Sequence, residues 1–138
     1  MNQENDYRHG RHVVSAMHVH VVFVTKYRRG VFNDEMLTRC EEITRKVRED
    51  FEAEPKEFNG ERDHVHILIN YPPNVAVSKL VNSLKGASAR RIRQEFTGHT
   101  NHAIMHRHLW SPSYFSASCG GAPPAIVREY IEQQKRPR

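Results

Sequence analysis

An α+β fold, with helices laid against one β-sheet, is what three features of this 138-residue sequence predict. Runs dense in β-branched and aromatic residues alternate with stretches whose apolar positions return every three or four residues, the signatures of strand and amphipathic helix. Turn and stop signals, Tyr-Pro-Pro at 71 to 73 and Gly-Gly-Ala-Pro-Pro at 120 to 124, separate them. No internal repeat or low-complexity segment interrupts the alternation.

Residues 17 to 26 (MHVHVVFVTK) read as a buried first strand that ends at the basic turn TKYRRG. Asn33 is a plausible N-cap, and Met36, Cys40, Ile43, Val47 and Phe51 then mark an amphipathic helix to about residue 52. Lys56 to Asn59, Gly60, and Val65 to Ile69 form a hairpin of two strands, closed by the two prolines. From Val77 to Phe96, the residues Val77, Leu80, Val81, Leu84, Ile92 and Phe96 line one face of a second helix. Residues 97 to 110 have no clear period and are read as irregular. Tyr114 to Ala117 make a short final strand, and proline at a first helical position opens a last helix, AIVREYIEQQK. The order β-α-β-β-α-β plus a terminal helix is the ferredoxin-like pattern, one mixed or antiparallel sheet with helices packed on it. A single domain over 1–138 is expected, with 1–12 a flexible tail and 120–124 a hinge.

Lys and Arg outnumber Asp and Glu by 21 to 16, for a net charge of +5 and a pI near 9.5. That balance suits a polyanionic partner without proving one. No apolar stretch approaches the roughly 20 residues of a membrane span, and the N-terminus lacks the apolar core of a secretory signal, so a cytoplasmic protein without a membrane partner is expected. Cys40 and Cys119, far apart, argue against a disulfide framework and make no zinc site by themselves; Cys40 is expected to pack in the core.

Ten histidines include three pairs two residues apart, His18/His20, His64/His66 and His106/His108, where random scattering gives roughly 0.7. On a strand, residues i and i+2 share a face about 6.6 Å apart, so both imidazoles can lean toward one ion. His18/His20 and His64/His66 lie on expected strands; His106/His108 does not. Behind His64/His66 the residues Val65, Ile67 and Ile69 alternate, so one face serves the core and the other is free for polar work. Taken alone, that pair is equally a metal site or two satisfied buried histidines. Tyr130 and Gln134 stand at i and i+4 on the last helix, hence on one helical face. Taken alone, Tyr130 reads as a core tyrosine.

Five segments carry a family resemblance across nearly the whole chain: VFVTKYRRGVF at 22 to 32, EFNGERDHVHILI at 57 to 69, VSKLVNSLKGASARRIRQEF at 77 to 96, LWSPSYF at 109 to 115 and GGAPPAIVREYIEQQ at 120 to 134. With these the chain resembles the single-tyrosine transposases of minimal prokaryotic insertion sequences, of the insertion sequence 200/605 type, in the His-hydrophobic-His (HUH) endonuclease superfamily. The resemblance implies that His64, His66 and Gln134 bind a divalent metal, Mg²⁺ or Mn²⁺, and that Tyr130 is the nucleophile. It also assigns His18 and His20 a structural role. In that chemistry Tyr130 attacks a scissile phosphate of single-stranded DNA, leaving a 5′-phosphotyrosine and a free 3′-OH, and a second 3′-OH then joins new strands. Neutral ligands leave the ion its full charge for phosphate oxygens.

The basic residues Lys26, Arg28 and Arg29 of the turn and Lys85, Arg90 and Arg91 of the second helix are the expected DNA-binding surface. By the resemblance, their target is a folded-back hairpin whose scissile strand runs single-stranded into the site. One nucleophile per chain and two strand cleavages per excision call for a homodimer, and the resemblance adds active sites shared between chains; Gly120-Gly121 offers a hinge and Pro123-Pro124 a stiff helix start, so that Tyr130 and Gln134 can move as one arm. Two other functions compete: a domesticated nuclease acting on repeated palindromic elements, and a non-catalytic module that binds single-stranded nucleic acid by stacking.

Overall fold

The computed structural model describes residues 8–9, 14–15, 17–104, 108–118 and 124–134. His106, Cys119, the Gly120-Gly121 hinge with Pro123, and most of the 1–12 segment lie outside the described residues. A short antiparallel ribbon, β1 (Arg8–His9) with β2 (Val14–Ser15), precedes the main sheet. That sheet has four strands, β3 (Met17–Val24), β4 (Glu54–Gly60), β5 (His64–Tyr71) and β6 (Phe115–Ser118), in the order β4-β5-β3-β6. Every neighbouring pair is antiparallel.

Five α-helices pack around it among the described residues: α1 (Asp34–Arg45), α2 (Val47–Phe51), α3 (Val77–Glu95), α4 (Thr97–Ile104) and α5 (Pro124–Gln133). Asn33 caps α1 as its sequence suggests, its side-chain oxygen accepting the Met36 N–H at 2.8 Å. The helix expected to run to residue 52 is broken in two at Lys46, whose N–H turns back to the Ile43 and Thr44 carbonyls. Its apolar period continues across the break, which is why periodicity alone did not detect it.

Residues 97 to 110, expected to be irregular, begin with α4 instead. Only Thr100 and Ile104 of α4 are buried, too few to produce an apolar stripe. Its first turn is helped by hydroxyls that satisfy backbone carbonyls, Thr97 at Arg93 (2.8 Å) and Thr100 at Phe96 (3.0 Å).

The strand alternation divides the sheet into two faces. Val19, Val21 and Phe23 of β3 and Val65, Ile67, Ile69 and Tyr71 of β5 form the main core with Met36, Cys40 and Ile43 of α1 and Leu80, Val81, Leu84 and Ile92 of α3. Trp110 joins it, packed against Phe32 and Phe23 and donating its indole N–H to Ser88 at 2.9 Å. Gly60, at the end of β4, sits where a Cβ would come 2.6 Å from the Leu37 Cδ2 methyl, so a larger residue there requires the Leu37 side chain to shift. On the opposite face Val22 and Val24 meet Val127 and Ile131 of α5, flanked by Phe115 and Tyr130, a much smaller cluster.

Candidate active site

Because β5 turns its odd-numbered residues into the main core, His64 and His66 emerge together on the α5 side of the sheet. Their rings lie 4.9 Å apart between centroids, with His64 buried and His66 half-buried. In the β3–β5 register His66 faces Val22 and His64 faces Val24, which leaves His20 diagonal to His66. Its ring stacks on that of His66 at 5.4 Å. A cavity of about 480 Å³ opens over these three imidazoles, with Asp63 and Arg28 at one side and the α5 residues Val127, Arg128, Ile131 and Glu132 as its other wall.

Each histidine of the pair is held by its Nδ1. For His64 the partner is the Asp63 carboxylate at 2.7 Å, itself 3.4 Å from the Arg28 guanidinium. For His66 it is His20 Nε2 at 3.4 Å. Such contacts fix ring orientation and leave Nε2 as the atom each ring has for a further partner. Burial, then the neighbouring His64 and His20, pushes the His66 pKa down to about 4, so His66 is neutral at physiological pH. Donor atoms of Glu61, Asp63 and His64 also lie within 4.8 Å of one another, and Glu61 Oε2 stands 3.8 Å from His64 Nε2. Imidazoles with carboxylates beside them fit a divalent cation well.

His20, Asp63, Glu61 and Arg28 thus complete a neighbourhood from which the sequence analysis took only the histidine pair as metal ligands, with Arg28 expected to bind DNA and His20 to be structural. The signal for His20 was present, since it lies on the adjacent strand at the same spacing, but the register that brings it to His66 is tertiary.

Tyr130 and Gln134 face away from this cavity within the chain. The Tyr130 hydroxyl is 2.9 Å from Ser113 Oγ, and its ring packs on Phe115. Burial raises the Tyr130 pKa, and the Ser113 hydrogen bond opposes that rise. Gln134 Oε1 accepts from Ser111 at 2.7 Å, while its Nε2 donates to the Tyr130 carbonyl at 3.3 Å. The structure therefore joins Tyr130 to Gln134, as their i, i+4 spacing predicted, and His64 to His66, without joining one pair to the other.

The six basic residues also separate. Arg28 and Arg29 line a cleft beside the histidines. Lys26 and Lys85 share another with Arg93 and His108, and there Lys85 donates to the Pro112 carbonyl at 2.8 Å. Burial lowers the Lys85 pKa. Arg90 and Arg91 lie near Lys46 of the α1–α2 junction, with Arg91 3.7 Å from Glu95. No described helix is long and apolar enough to cross a membrane.

Residues 13–134 match the family model described as "Transposase IS200 like". The chain is 30% identical over 125 residues to the ISDra2 transposase TnpA of Deinococcus radiodurans, covering 91% of this chain and 89% of that protein. It is 31% identical over 115 residues to the transposase for insertion sequence element IS200 of Salmonella typhimurium, covering 83% and 74%. A crystal structure of a Deinococcus radiodurans protein assigned as a transposase superposes with a TM-score of 0.82 at 30% identity, over 94% of this chain and 99% of the other. With nearly its whole length matched in sequence and in fold, the chain belongs to the IS200-like family of insertion-sequence transposases.

Proposed function

We propose that this transposase cuts and rejoins single-stranded DNA through a covalent link to Tyr130, at a site whose divalent metal, Mg²⁺ or Mn²⁺, is held by His64 and His66 together with Gln134. The observation that carries this is the histidine pair itself: two adjacent imidazoles, each held by Nδ1, one kept neutral by burial, facing a polar cavity walled by the helix that bears the tyrosine. A non-catalytic binding module has no need of that arrangement. A bound divalent ion supplies a Lewis acid for the phosphate oxygens.

Tyr130 Oη gives up its proton and forms a bond to phosphorus as the bond to the 3′-oxygen breaks; that oxygen leaves with a proton as a 3′-OH. A second 3′-OH reverses the exchange, and the phosphotyrosine conserves the phosphodiester energy, so no nucleotide triphosphate is consumed. Burial keeps the phenol protonated at rest, so it needs a base or the field of the site to become a nucleophile.

The working unit is a homodimer with active sites shared between chains. The outward turn of Tyr130 and Gln134, away from their own histidines, supports that reading. The small apolar face that holds α5 makes the helix the element best able to be exchanged. The substrate is a hairpin with a single-stranded extension, bound at the basic clefts. Incubation with single-stranded DNA from the ends of the element should give a protein–DNA adduct that Tyr130→Phe abolishes while DNA binding persists. An adduct that survives in Tyr130→Phe removes Tyr130 from the chemistry.

A further inference from the structure

A second cavity, of about 970 Å³, lies beside the histidine cavity, and the two share Arg28, Glu61 and Asp63 in their walls. One wall is the turn after β3, where Tyr27 and Arg28 both have left-handed backbones, φ 60° and 56°. Neither is glycine, and side chains other than glycine rarely adopt that conformation unless the surroundings impose it. Here they do. The buried Thr25 hydroxyl lies 2.7 Å from the Arg29 carbonyl and 3.2 Å from that of Asp63, and Thr25 N–H also donates to Asp63 at 2.8 Å. Two further bonds, from the Val31 and Phe32 N–H groups to the Arg62 carbonyl, stitch this turn to the loop between β4 and β5 that forms the facing wall.

The rigid turn presents Tyr27, Arg28 and Arg29 to the cleft, and the facing loop presents Arg62, packed over Gly30 where a Cβ would stand 3.4 Å from its Nε. Arg28 Nε forms an ion pair with Asp63 at 3.4 Å, though without hydrogen-bond geometry, and Asp63 in turn holds His64. Arg29 and Arg62 have no carboxylate partner among the described residues, and Arg29 Nε is sealed from solvent with no hydrogen-bond acceptor among them. Asp34 and Glu61 at the edges carry the opposite charge. Guanidinium groups without a carboxylate partner, beside an aromatic ring in a cleft that shares Arg28, Glu61 and Asp63 with the histidine cavity, suit a chain of phosphates and bases.

We propose that this cleft is a subsite for the single-stranded DNA adjoining the scissile phosphate, with Arg29 and Arg62 taking its backbone phosphates and the Tyr27 ring stacking on a base. The assignment rests on the proposed DNA chemistry and adds where the strand runs and which residues hold it. Arg28 falls outside the phosphate-binding set, because it is the anchor of Asp63.

A fluorescein-labelled oligothymidylate is the probe, titrated against the full chain carrying Tyr130→Phe at several salt concentrations. Arg29→Ala/Arg62→Ala should make the slope of log affinity against log salt shallower by about 1.4, since each phosphate contact on a single strand contributes about 0.7. Arg29→Lys/Arg62→Lys should restore the slope. Tyr27→Ala should weaken binding several-fold at an unchanged slope, which a merely structural role would not do. An Arg29→Ala/Arg62→Ala protein that melts like its parent and keeps the parental slope overturns the subsite. If that variant does not fold, ultraviolet cross-linking of a 4-thiothymidine oligonucleotide to the parent decides: label on the Tyr27–Arg29 or Arg62 peptides supports the cleft, and label only elsewhere overturns it. The two proposals fail separately, because the Tyr130 adduct assay reports the chemistry and oligothymidylate binding reports the cleft.

Discussion

Ser111 Oγ donates to Gln134 Oε1 across 2.7 Å, so the amide oxygen proposed as a metal ligand is already engaged inside its own chain. For Gln134 to serve a histidine pair, this bond must be given up. Ser111 is therefore a latch on α5, and its loss differs in kind from the loss of Gln134. Ser111→Ala should lower stability by about 0.5–1.5 kcal/mol, one ordinary hydrogen bond, and leave metal-dependent DNA cleavage intact. Gln134→Ala should impair cleavage. Equal damage from both, in folded proteins, means Gln134 acts only through its bond to Ser111.

Mixed dimers test the shared site directly. Tyr130→Phe protein is expected to be inactive, as is His64→Ala/His66→Ala protein, yet subunits exchanged between them should regain one competent site per dimer. The adduct must sit on the His64→Ala/His66→Ala subunit, which alone keeps the tyrosine. Size-tagged subunits separated on a denaturing gel read this out; adduct confined to doubly intact chains in wild-type controls, with dead mixed dimers, returns the site to a single chain.

Asp63 should matter for metal binding. Removing a carboxylate that orients a ligating histidine typically costs 10–100-fold in metal affinity. Asp63→Ala is expected to weaken Mn²⁺ binding by that order, measured by calorimetry or electron paramagnetic resonance without DNA. His20→Ala should weaken it less, given the longer 3.4 Å contact to His66, and His18→Ala should leave it unchanged in a folded protein. Parental Mn²⁺ affinity in Asp63→Ala removes the carboxylate from the metal centre.

The two sheet faces should differ in local stability. Leu80 is fully buried in the main core, and Leu80→Ala should cost about 2–5 kcal/mol in a denaturant titration. The α5 side rests on four buried residues, so its amides should exchange with deuterium well before those of β3 and β5. Uniform protection across α5, β3 and β5 would show that the helix is no separable arm.

Burial lifts the Cys40 thiol to about 12. The folded state keeps a proton that the unfolded thiol, with a pKa near 8.5, releases, so this group's contribution to stability falls as pH rises from about 8.5 toward 12. In a Cys119→Ser background, Cys40 should resist alkylation at pH 8 until urea unfolds the chain. Rapid labelling of the native protein would place the thiol at the surface.

Local physics made most of the fold legible. Strand alternation in MHVHVVFV and HVHILINY, the Asn33 cap, and Pro124 at the first turn of α5 are all properties of neighbouring residues, and each led to the element observed. The i+2 and i+4 spacings likewise identified His64 with His66 and Tyr130 with Gln134 as pairs. What lay beyond the sequence depends on partners distant along the chain. The break at Lys46 occurs inside an unbroken apolar period, and α4 forms with only two buried residues to announce it. His20 reaches His66 because β3 and β5 pair in one register, and a one-residue slip would turn it into the core. Arg28 reaches Asp63 because Thr25 ties a left-handed turn to the far end of the β4–β5 hairpin. Spacing determines which residues share a face; strand register and helix docking decide which faces meet, and those are settled by burial across the whole chain.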